Sequence, residues 1–160
     1  MNPDTDADTD AGTGTTPGGL LLPVPDEDGR PFWEYAAGGE LRIQACADCD
    51  RLRFPPRPCC PHCQSFASTW RPMSGRGRIW SYVRPHPPLL PAYAARAPYN
   101  VVLVELAEAP HIRLAGNLVA EPDAPLDSVD PERLRIGAKV QVAFTEVDGM
   151  TVPRWLLEKS

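Results

Sequence analysis

Four cysteines stand in two close pairs that have the spacing of a metal site. Cys46 and Cys49 are separated by two residues, as are Cys60 and Cys63, and ten residues lie between the pairs. A C-x-x-C knuckle turns two thiolates towards one ion, and two knuckles supply the four sulfur ligands of tetrahedral Zn²⁺. Because four protein ligands leave no position for water or substrate, the sequence predicts a structural zinc ion and not a catalytic one.

Two alternatives to zinc stay open at this point, namely two disulfides or cysteines that are ordinary small core residues. Residues 1–19 contain four aspartates and no apolar signal segment, so we expect a cytoplasmic protein whose thiols remain reduced. This expectation favours a metal over disulfides. The fifth cysteine, Cys59, is interpreted as a bystander, and His62 is interpreted as pointing outward from its knuckle and not as a ligand.

Composition divides the 160 residues of the chain. Residues 1–22 are rich in Asp, Thr and Gly and poor in apolar side chains, which predicts a disordered acidic tail. The remainder suffices for one domain or two very small ones. No segment approaches the ~20 consecutive apolar residues that cross a bilayer, so we expect no membrane span. The 20 prolines exclude a bundle of long helices.

Turn and strand signals predict a mainly β fold with one short helix. Residues 23–40 include Pro31, which suits a first helical turn, and two glycines that can end the helix, so this segment is predicted to be helical. Residues 41–70 are predicted to form a zinc ribbon around the cysteines. Residues 71–160 contain five strand-like segments, the first of them glycine-rich, and such a set predicts a small closed barrel of the OB type.

The middle of the chain carries an unusual loop and an unusual charge pattern. Residues 85–98 hold five prolines and are predicted to be a long loop, a kind of segment that often binds or covers something. From Arg51 to Asn100 there are eight arginines and no acidic residue. Arginines suit bidentate contacts to carboxylate or phosphate. In the alternative interpretation, these arginines form a solvated face, and acidic residues from elsewhere in the fold balance their charge.

The order of helix, ribbon and barrel resembles a family of zinc-ribbon and OB-fold proteins, first catalogued as domain of unknown function thirty-five and associated with thiolases and acyl-CoA. The resemblance covers residues 31–160. It is carried by Pro31-Phe32-Trp33-Glu34, by Gly39 to Gln44, by the Cys46 to Cys63 ribbon with Phe54-Pro55-Pro56-Arg57 inside it, by Ser74-Gly75-Arg76-Gly77, and by Leu134 to Gly137. It implies a rubredoxin-like ribbon with structural zinc, followed by a five-stranded OB barrel.

For function, the resemblance implies a non-catalytic accessory subunit. Such a subunit docks to a thiolase-superfamily enzyme in a heterotetramer or larger complex, and helps to bind or channel acyl-CoA. The partner is expected to be a sterol-carrier-type thiolase or aldolase of steroid or lipid side-chain degradation, or an acyltransferase. A hotdog-fold enoyl-CoA hydratase is the alternative partner. The residues agree with a non-catalytic role, since the three histidines lie in separate segments with no evident partner.

Five residues are candidates for contact with acyl-CoA or with the partner. Phe32, Trp33 and Tyr35 lie on the short helix and are expected either to contact an acyl chain, adenine ring or partner, or to belong to the core. Arg76 and Arg78 open the first barrel strand and are candidates for the CoA phosphates, because an exposed guanidinium pairs bidentately with such anions.

A single-stranded nucleic-acid binder is the alternative from another functional class. OB barrels and zinc ribbons both bind single strands through aromatic platforms and basic grooves, and Trp80 and Tyr82 suit that role. The charge argues against it. The chain has a formal net charge of −5 and only two lysines, and its folded part is nearly neutral once the acidic tail is set aside. Nucleic acid is therefore the less favoured partner.

Overall fold

The computed structural model describes residues 19–158. Of the predicted acidic tail, residues 1–22, the first 18 residues lie outside this range. The described range contains two antiparallel sheets, two short α-helices and a short 3₁₀ helix, Pro131–Arg133. The first α-helix, the ribbon and the barrel follow one another in the predicted order. None of the helices in this part of the chain is long and apolar enough to cross a membrane.

Helix α1, Arg30–Ala37, confirms the predicted short helix. Pro31 stands at its start, where the absence of an N–H costs nothing, and Gly38 caps its end. Phe32 and Ala36 are buried. Because these two residues are four apart, they share one face of the helix, and this face is the one that the core covers.

The zinc ribbon contains a three-stranded sheet in the order β2-β1-β3. Its strands are β1 (Arg42–Cys46), β2 (Leu52–Arg53) and β3 (Ser68–Pro72). Gln44 is a polar residue of β1, but its side chain is only 4% exposed. It is buried because its Oε1 accepts hydrogen bonds from Arg53 Nε at 2.7 Å and from the Arg57 N–H at 2.9 Å.

A curled five-stranded antiparallel sheet in the order β6-β5-β4-β7-β8 forms the barrel. Its strands are β4 (Arg76–Val83), β5 (Val101–Leu106), β6 (Arg113–Gly116), β7 (Lys139–Val147) and β8 (Met150–Leu157). The segment after β6 meets β8 through a bridge between Leu118 and Trp155, which brings the two edges of the sheet together. The predicted mainly β fold with five barrel strands is confirmed.

The start of β4 explains the glycine-rich sequence there. Gly75 has a φ of +75°, a conformation that side chains other than glycine rarely adopt. A Cβ at Gly77 would lie 2.5 Å from the carbonyl oxygen of Glu105, so a glycine is needed where β4 approaches its paired strand β5 closely. The register between these strands also shifts between Ile79 and Ser81, which is a β-bulge around Trp80.

The long connection between β4 and β5 is not entirely loop, contrary to the prediction for residues 85–98. Helix α2, Pro91–Ala94, forms a single turn within it. Its first residue is a proline, whose fixed φ suits a first helical turn. The high proline content therefore predicted the absence of a long helix correctly but concealed this short one.

One buried cluster connects the ribbon with the barrel. Helix α1 packs against both β1 and β8. The apolar cluster accordingly takes residues from the helix, the ribbon and the barrel: Phe32, Leu41, Ile43, Ile79, Val102, Val104, Leu106, Leu114, Leu118, Val140 and Trp155 belong to it. The ribbon is therefore packed onto the barrel by apolar burial, and its position does not depend on the chain connection alone.

Candidate functional site

The four paired cysteines converge to a single point. The Sγ atoms of Cys46, Cys49, Cys60 and Cys63 all lie within 4.8 Å of one another, with 3.4 Å between Cys46 and Cys63 and 3.7 Å between Cys49 and Cys60. Sulfurs about 2.3 Å from one Zn²⁺ in a tetrahedron are about 3.8 Å apart, so the donor set fits zinc. All five cysteines are free, which leaves no disulfide among them.

The two knuckles have the same backbone geometry. In the first, the N–H of Asp50 donates to the Cys46 carbonyl at 3.0 Å; in the second, the N–H of Gln64 donates to the Cys60 carbonyl at 2.9 Å. Asp50 and Gln64 also share a left-handed conformation, with φ of 59° and 63°. This repeated turn places the two thiols of each pair on the same side of the backbone.

Hydrogen bonds around the thiols separate their pKa values in the metal-free site. The backbone N–H groups of Cys49 and Asp48 donate to Cys46, outweigh its burial and lower its pKa to about 6. A backbone N–H from Ser65 also favours the Cys63 thiolate, but the neighbouring thiols and burial outweigh it and raise its pKa to about 12. Cys46 is therefore largely a thiolate at neutral pH, whereas Cys63 is a thiol that releases its proton on metal binding.

Cys59 and His62 lie outside the thiol cluster. Among residues 19–158, the group that can hold a metal ion consists of the four paired cysteines alone. The Cys59 Sγ instead contacts the Cys60 carbonyl oxygen, and His62 is exposed and lines a cleft beside the ribbon. When zinc is bound, it stabilises the folded ribbon, because the free energy of binding adds to that of folding.

The aromatic candidates on α1 have three different surroundings. Phe32 is buried, with its ring centroid 5.0 Å from Trp33 and 5.3 Å from Phe54, so it belongs to the core. Trp33 is half-buried and lines an apolar groove. The Arg42 guanidinium stacks on the Tyr35 ring at 4.5 Å, which places Tyr35 beside the ribbon.

The two arginine candidates line one groove, of about 390 Å³. Arg76 and Arg78 are exposed, and Lys139, which pairs with Arg78 across the strands, adds a third cation. Glu105 and Glu158 also line the groove, so its charge is mixed with an excess of cations. Neither arginine has an ion pair within the described chain, which leaves both guanidinium groups able to bind an anion.

A carboxylate close to Arg76 fixes the backbone just before β4. Glu108 Oε1 accepts the Ser74 N–H at 2.9 Å. Burial raises the Glu108 pKa, but the hydrogen bonds from Ser74 and the nearby charge of Arg76 outweigh it, and the pKa is lowered below its ordinary value. Glu108 is therefore ionised at neutral pH and offsets part of the Arg76 charge.

Two histidines that seemed isolated in the sequence share one cleft. His62 from the second knuckle and His111 from the β5–β6 turn line a cavity of about 600 Å³ together with Arg51, Arg53 and Arg71. Arg71 is paired there with Asp50. No local signal predicts this meeting, because the residues come from segments up to 60 positions apart, and only the packing of the ribbon on the barrel unites them.

One face of the Trp80 ring, part of the proposed aromatic platform for nucleic acid, is covered. Trp80 is 45% exposed at the bulge in β4, but the guanidinium of Arg113 lies over its ring at 3.9 Å. Base stacking needs a free ring face. The guanidinium of Arg113 therefore occupies one of the two faces on which a base could stack.

Comparisons with known proteins agree with this architecture. Residues 33–68 match the model described as "ChsH2, rubredoxin-like zinc ribbon domain", and residues 70–145 match "ChsH2, C-terminal OB-fold domain". A "DUF35 domain-containing scaffold protein" of Pyrococcus furiosus is 32% identical over 118 residues, which are 72% of this chain and 77% of that protein. The chain belongs to the DUF35 family. It is accordingly a zinc-ribbon and OB-fold protein, and its zinc is structural, as predicted.

Two longer relatives carry enzyme names. The "Probable enoyl-CoA hydratase alpha subunit" of Thermomonospora curvata is 39% identical over 132 residues, 82% of this chain and 38% of the relative. The "3-oxo-4,17-pregnadiene-20-carboxyl-CoA hydratase alpha subunit" of Mycobacterium tuberculosis is 31% identical over 139 residues, 87% of this chain and 40% of the relative. The DUF35 chain thus spans about two fifths of the length of these curated relatives.

A solved structure matches most of this DUF35 chain. It is the "Ltp2-ChsH2(DUF35) aldolase", with 37% sequence identity and a TM-score of 0.73, and the match covers 85% of this chain and 98% of that one. The relatives are thus named as a scaffold protein, as two enzyme subunits and as part of an aldolase, which supports the role of an accessory subunit for this chain.

Proposed function

We propose that this chain docks to a thiolase-superfamily enzyme, most simply an aldolase that shortens a steroid or lipid side chain, and that it helps to bind acyl-CoA without carrying out catalysis. The observation that carries this proposal is the match over 98% of the DUF35 chain in the Ltp2-ChsH2 aldolase. A stoichiometry of two and two, or larger, and a cytoplasmic location belong to the same proposal.

The groove of Arg76 and Arg78 is the proposed contact for the CoA phosphates. Three cations line it, and the two arginines have no ion pair among residues 19–158. Each phosphate can accept two parallel hydrogen bonds from one guanidinium, which suits arginine better than lysine. Trp33 and Tyr35, which are half-buried on α1, are the proposed contacts for the acyl group or the partner, and Phe32 contributes by holding α1 in the core.

The absence of catalysis is proposed from the arrangement of titratable groups. A catalytic centre needs a nucleophile, base or acid that converges on one reacting atom. Within residues 19–158, the densest cluster of reactive groups is the thiol set, and zinc occupies all four of those thiols in this family of ribbons. Catalytic chemistry is accordingly assigned to the partner.

The test is co-expression of the tagged chain with each thiolase-like protein of the same genome. We expect a stable complex that cleaves a steroid side-chain CoA thioester, whereas neither subunit alone does. The isolated chain and the complex are each assayed for hydration of an enoyl-CoA as well, since two relatives are named as hydratase subunits. Failure to form a complex, or hydration in place of aldol cleavage, would overturn the aldolase proposal.

Arginine variants test the contact with CoA within that complex. Arg76→Ala and Arg78→Ala are expected to raise KM for the thioester while the complex still forms. Arg133→Ala is the matched control, because Arg133 is also exposed but lies outside the groove. If all three variants had the KM of the unchanged complex, the groove would be excluded as the phosphate contact.

A further inference from the structure

An apolar groove lies between α1, the β6 and β8 edges of the barrel, and residues 20–23. It has a volume of about 310 Å³, and its lining is mainly apolar. Three aromatic residues, Trp33, Tyr93 and Tyr99, form part of its wall. Pockets that bury drug-sized molecules begin at about this volume and have such walls, with a few polar groups that fix the orientation of the ligand.

One buried cation borders this groove and has donors to spare. Arg154 is only 7% exposed, and its Nη1 donates to Asn117 Oδ1 at 2.6 Å. Its side chain makes no other hydrogen bond or ion pair within residues 19–158. A guanidinium has five N–H donors, so four donors of Arg154 are left for solvent or a ligand. Arg154 is therefore a polar group that can orient a ligand in an otherwise apolar site.

The surroundings of Arg154 favour a neutral ligand over an anion. The same side chain lines an adjoining polar cleft, of about 440 Å³, together with Asp123, Asp127 and Glu146. None of these acids forms an ion pair with Arg154, and the three of them outnumber the two cations that line the cleft, Arg154 and Arg96. A carboxylate ligand would meet their repulsion, whereas a carbonyl oxygen accepts a hydrogen bond without carrying a charge.

We propose that this groove binds a neutral, apolar ring compound of drug size, whose carbonyl oxygen accepts a hydrogen bond from Arg154. The flat rings of Trp33, Tyr93 and Tyr99 provide apolar area for such a ligand. The ligand class goes beyond docking to a partner. The further step, that this ligand is the ring part of an acyl-CoA, rests on the proposed function.

The test uses the full, zinc-loaded chain without any partner. Equilibrium dialysis with progesterone, a neutral ring ketone, is expected to give saturable binding of one molecule per chain. The steroid that carries a carboxylate in place of the acetyl group of progesterone is the matched anion, and we expect it to bind at least tenfold more weakly. The absence of saturable progesterone binding, or equal binding of the two compounds, would overturn the proposal.

Two substitutions localise the binding site. Ala115 is exposed on β6 and lines the groove, so Ala115→Trp fills the groove without disturbing the core. Ala67→Trp is the control, because Ala67 is an exposed alanine of the ribbon that does not line it. We expect progesterone binding to be lost in the first variant and kept in the second. If Ala115→Trp bound progesterone as tightly as the unchanged chain, the assignment would be wrong.

Arg154→Met keeps the length of the side chain and removes its donors. Loss of a hydrogen bond from a charged group is expected to weaken progesterone binding about tenfold or more. This effect should be absent for a steroid hydrocarbon that has no carbonyl, and an equal loss for both compounds would overturn the role of Arg154. Because these assays contain no partner enzyme, their failure is distinguishable from failure of the aldolase complex.

Discussion

Asn100 provides the sharpest test of how the barrel is held together. It ends the long connection into β5, is 6% exposed, and fixes two other segments by hydrogen bonds. Its Oδ1 accepts the Leu118 N–H at 2.7 Å, and its Nδ2 donates to the carbonyl oxygens of Leu118 at 2.8 Å and Leu126 at 3.4 Å. The substitution Asn100→Ala removes all three bonds at once.

The expected cost follows from the groups that are left behind. Leu118 is fully buried, so its N–H and carbonyl oxygen lose their partners out of reach of water. Leaving one buried polar group unsatisfied costs about 1–3 kcal/mol. Two such groups predict a loss of about 3 kcal/mol or more in the free energy of unfolding. For a chain of this size, that loss lowers the melting temperature by roughly 6–12 °C.

The assay is guanidinium-induced and thermal unfolding of the zinc-loaded chain. Gln141→Ala is the control, because the Gln141 amide donates to the Ser74 carbonyl oxygen in an exposed position, where water replaces the lost partner. We expect the control to change the free energy of unfolding by less than about 0.5 kcal/mol. Equal free energies of unfolding for Asn100→Ala and Gln141→Ala would refute the argument that the hydrogen bonds of Asn100 contribute more because Leu118 is buried.

Three further predictions concern the zinc site and the start of β4. Cys63→Ser should reduce the zinc content, measured by elemental analysis, from one ion per chain to almost none; retention of one ion would exclude Cys63 as a ligand. Zinc affinity, measured by chelator competition, should fall as pH falls, because the thiols must release their protons to bind the ion. Cys63, whose pKa is raised to about 12, releases a proton over the whole range, and Cys46, whose pKa is lowered to about 6, does so near and below pH 6. A zinc affinity that did not change with pH would contradict this. Gly77→Ala should lower the free energy of unfolding by about 1–3 kcal/mol, since the new Cβ would lie 2.5 Å from the Glu105 carbonyl oxygen. An unchanged melting temperature would contradict this close approach of β4 to β5.

The zinc ribbon and helix α1 were predictable because their signals are local. A C-x-x-C knuckle closes within four residues, and its two thiols meet whatever the rest of the chain does. The helix likewise starts at Pro31 and stops at Gly38, and both signals act within one turn. The presence of five barrel strands was predicted from turn and glycine signals of the same short range.

Tertiary contacts decided the features that the sequence could not predict. Gln44 follows the polar alternation of a strand, yet it is buried because Arg53 and the Arg57 N–H, on a neighbouring segment, bond to its side-chain oxygen. The meeting of His62 with His111 depends in the same way on how the ribbon packs against the barrel. Neither outcome has a local signature, since the interacting groups are 9 to 49 residues apart in the chain.

Strand β8 connects the two grooves that carry the proposals. Arg154, on this strand, borders the apolar groove, and Glu158, just beyond its end, lines the groove of Arg76 and Arg78. An extended strand rises about 3.3 Å per residue, so these two positions are about 13 Å apart along the backbone. A CoA thioester is an elongated molecule with an anionic end and an acyl end. On the proposed function, one such ligand would therefore extend along β8 with its phosphates at the arginines and its apolar ring near Trp33.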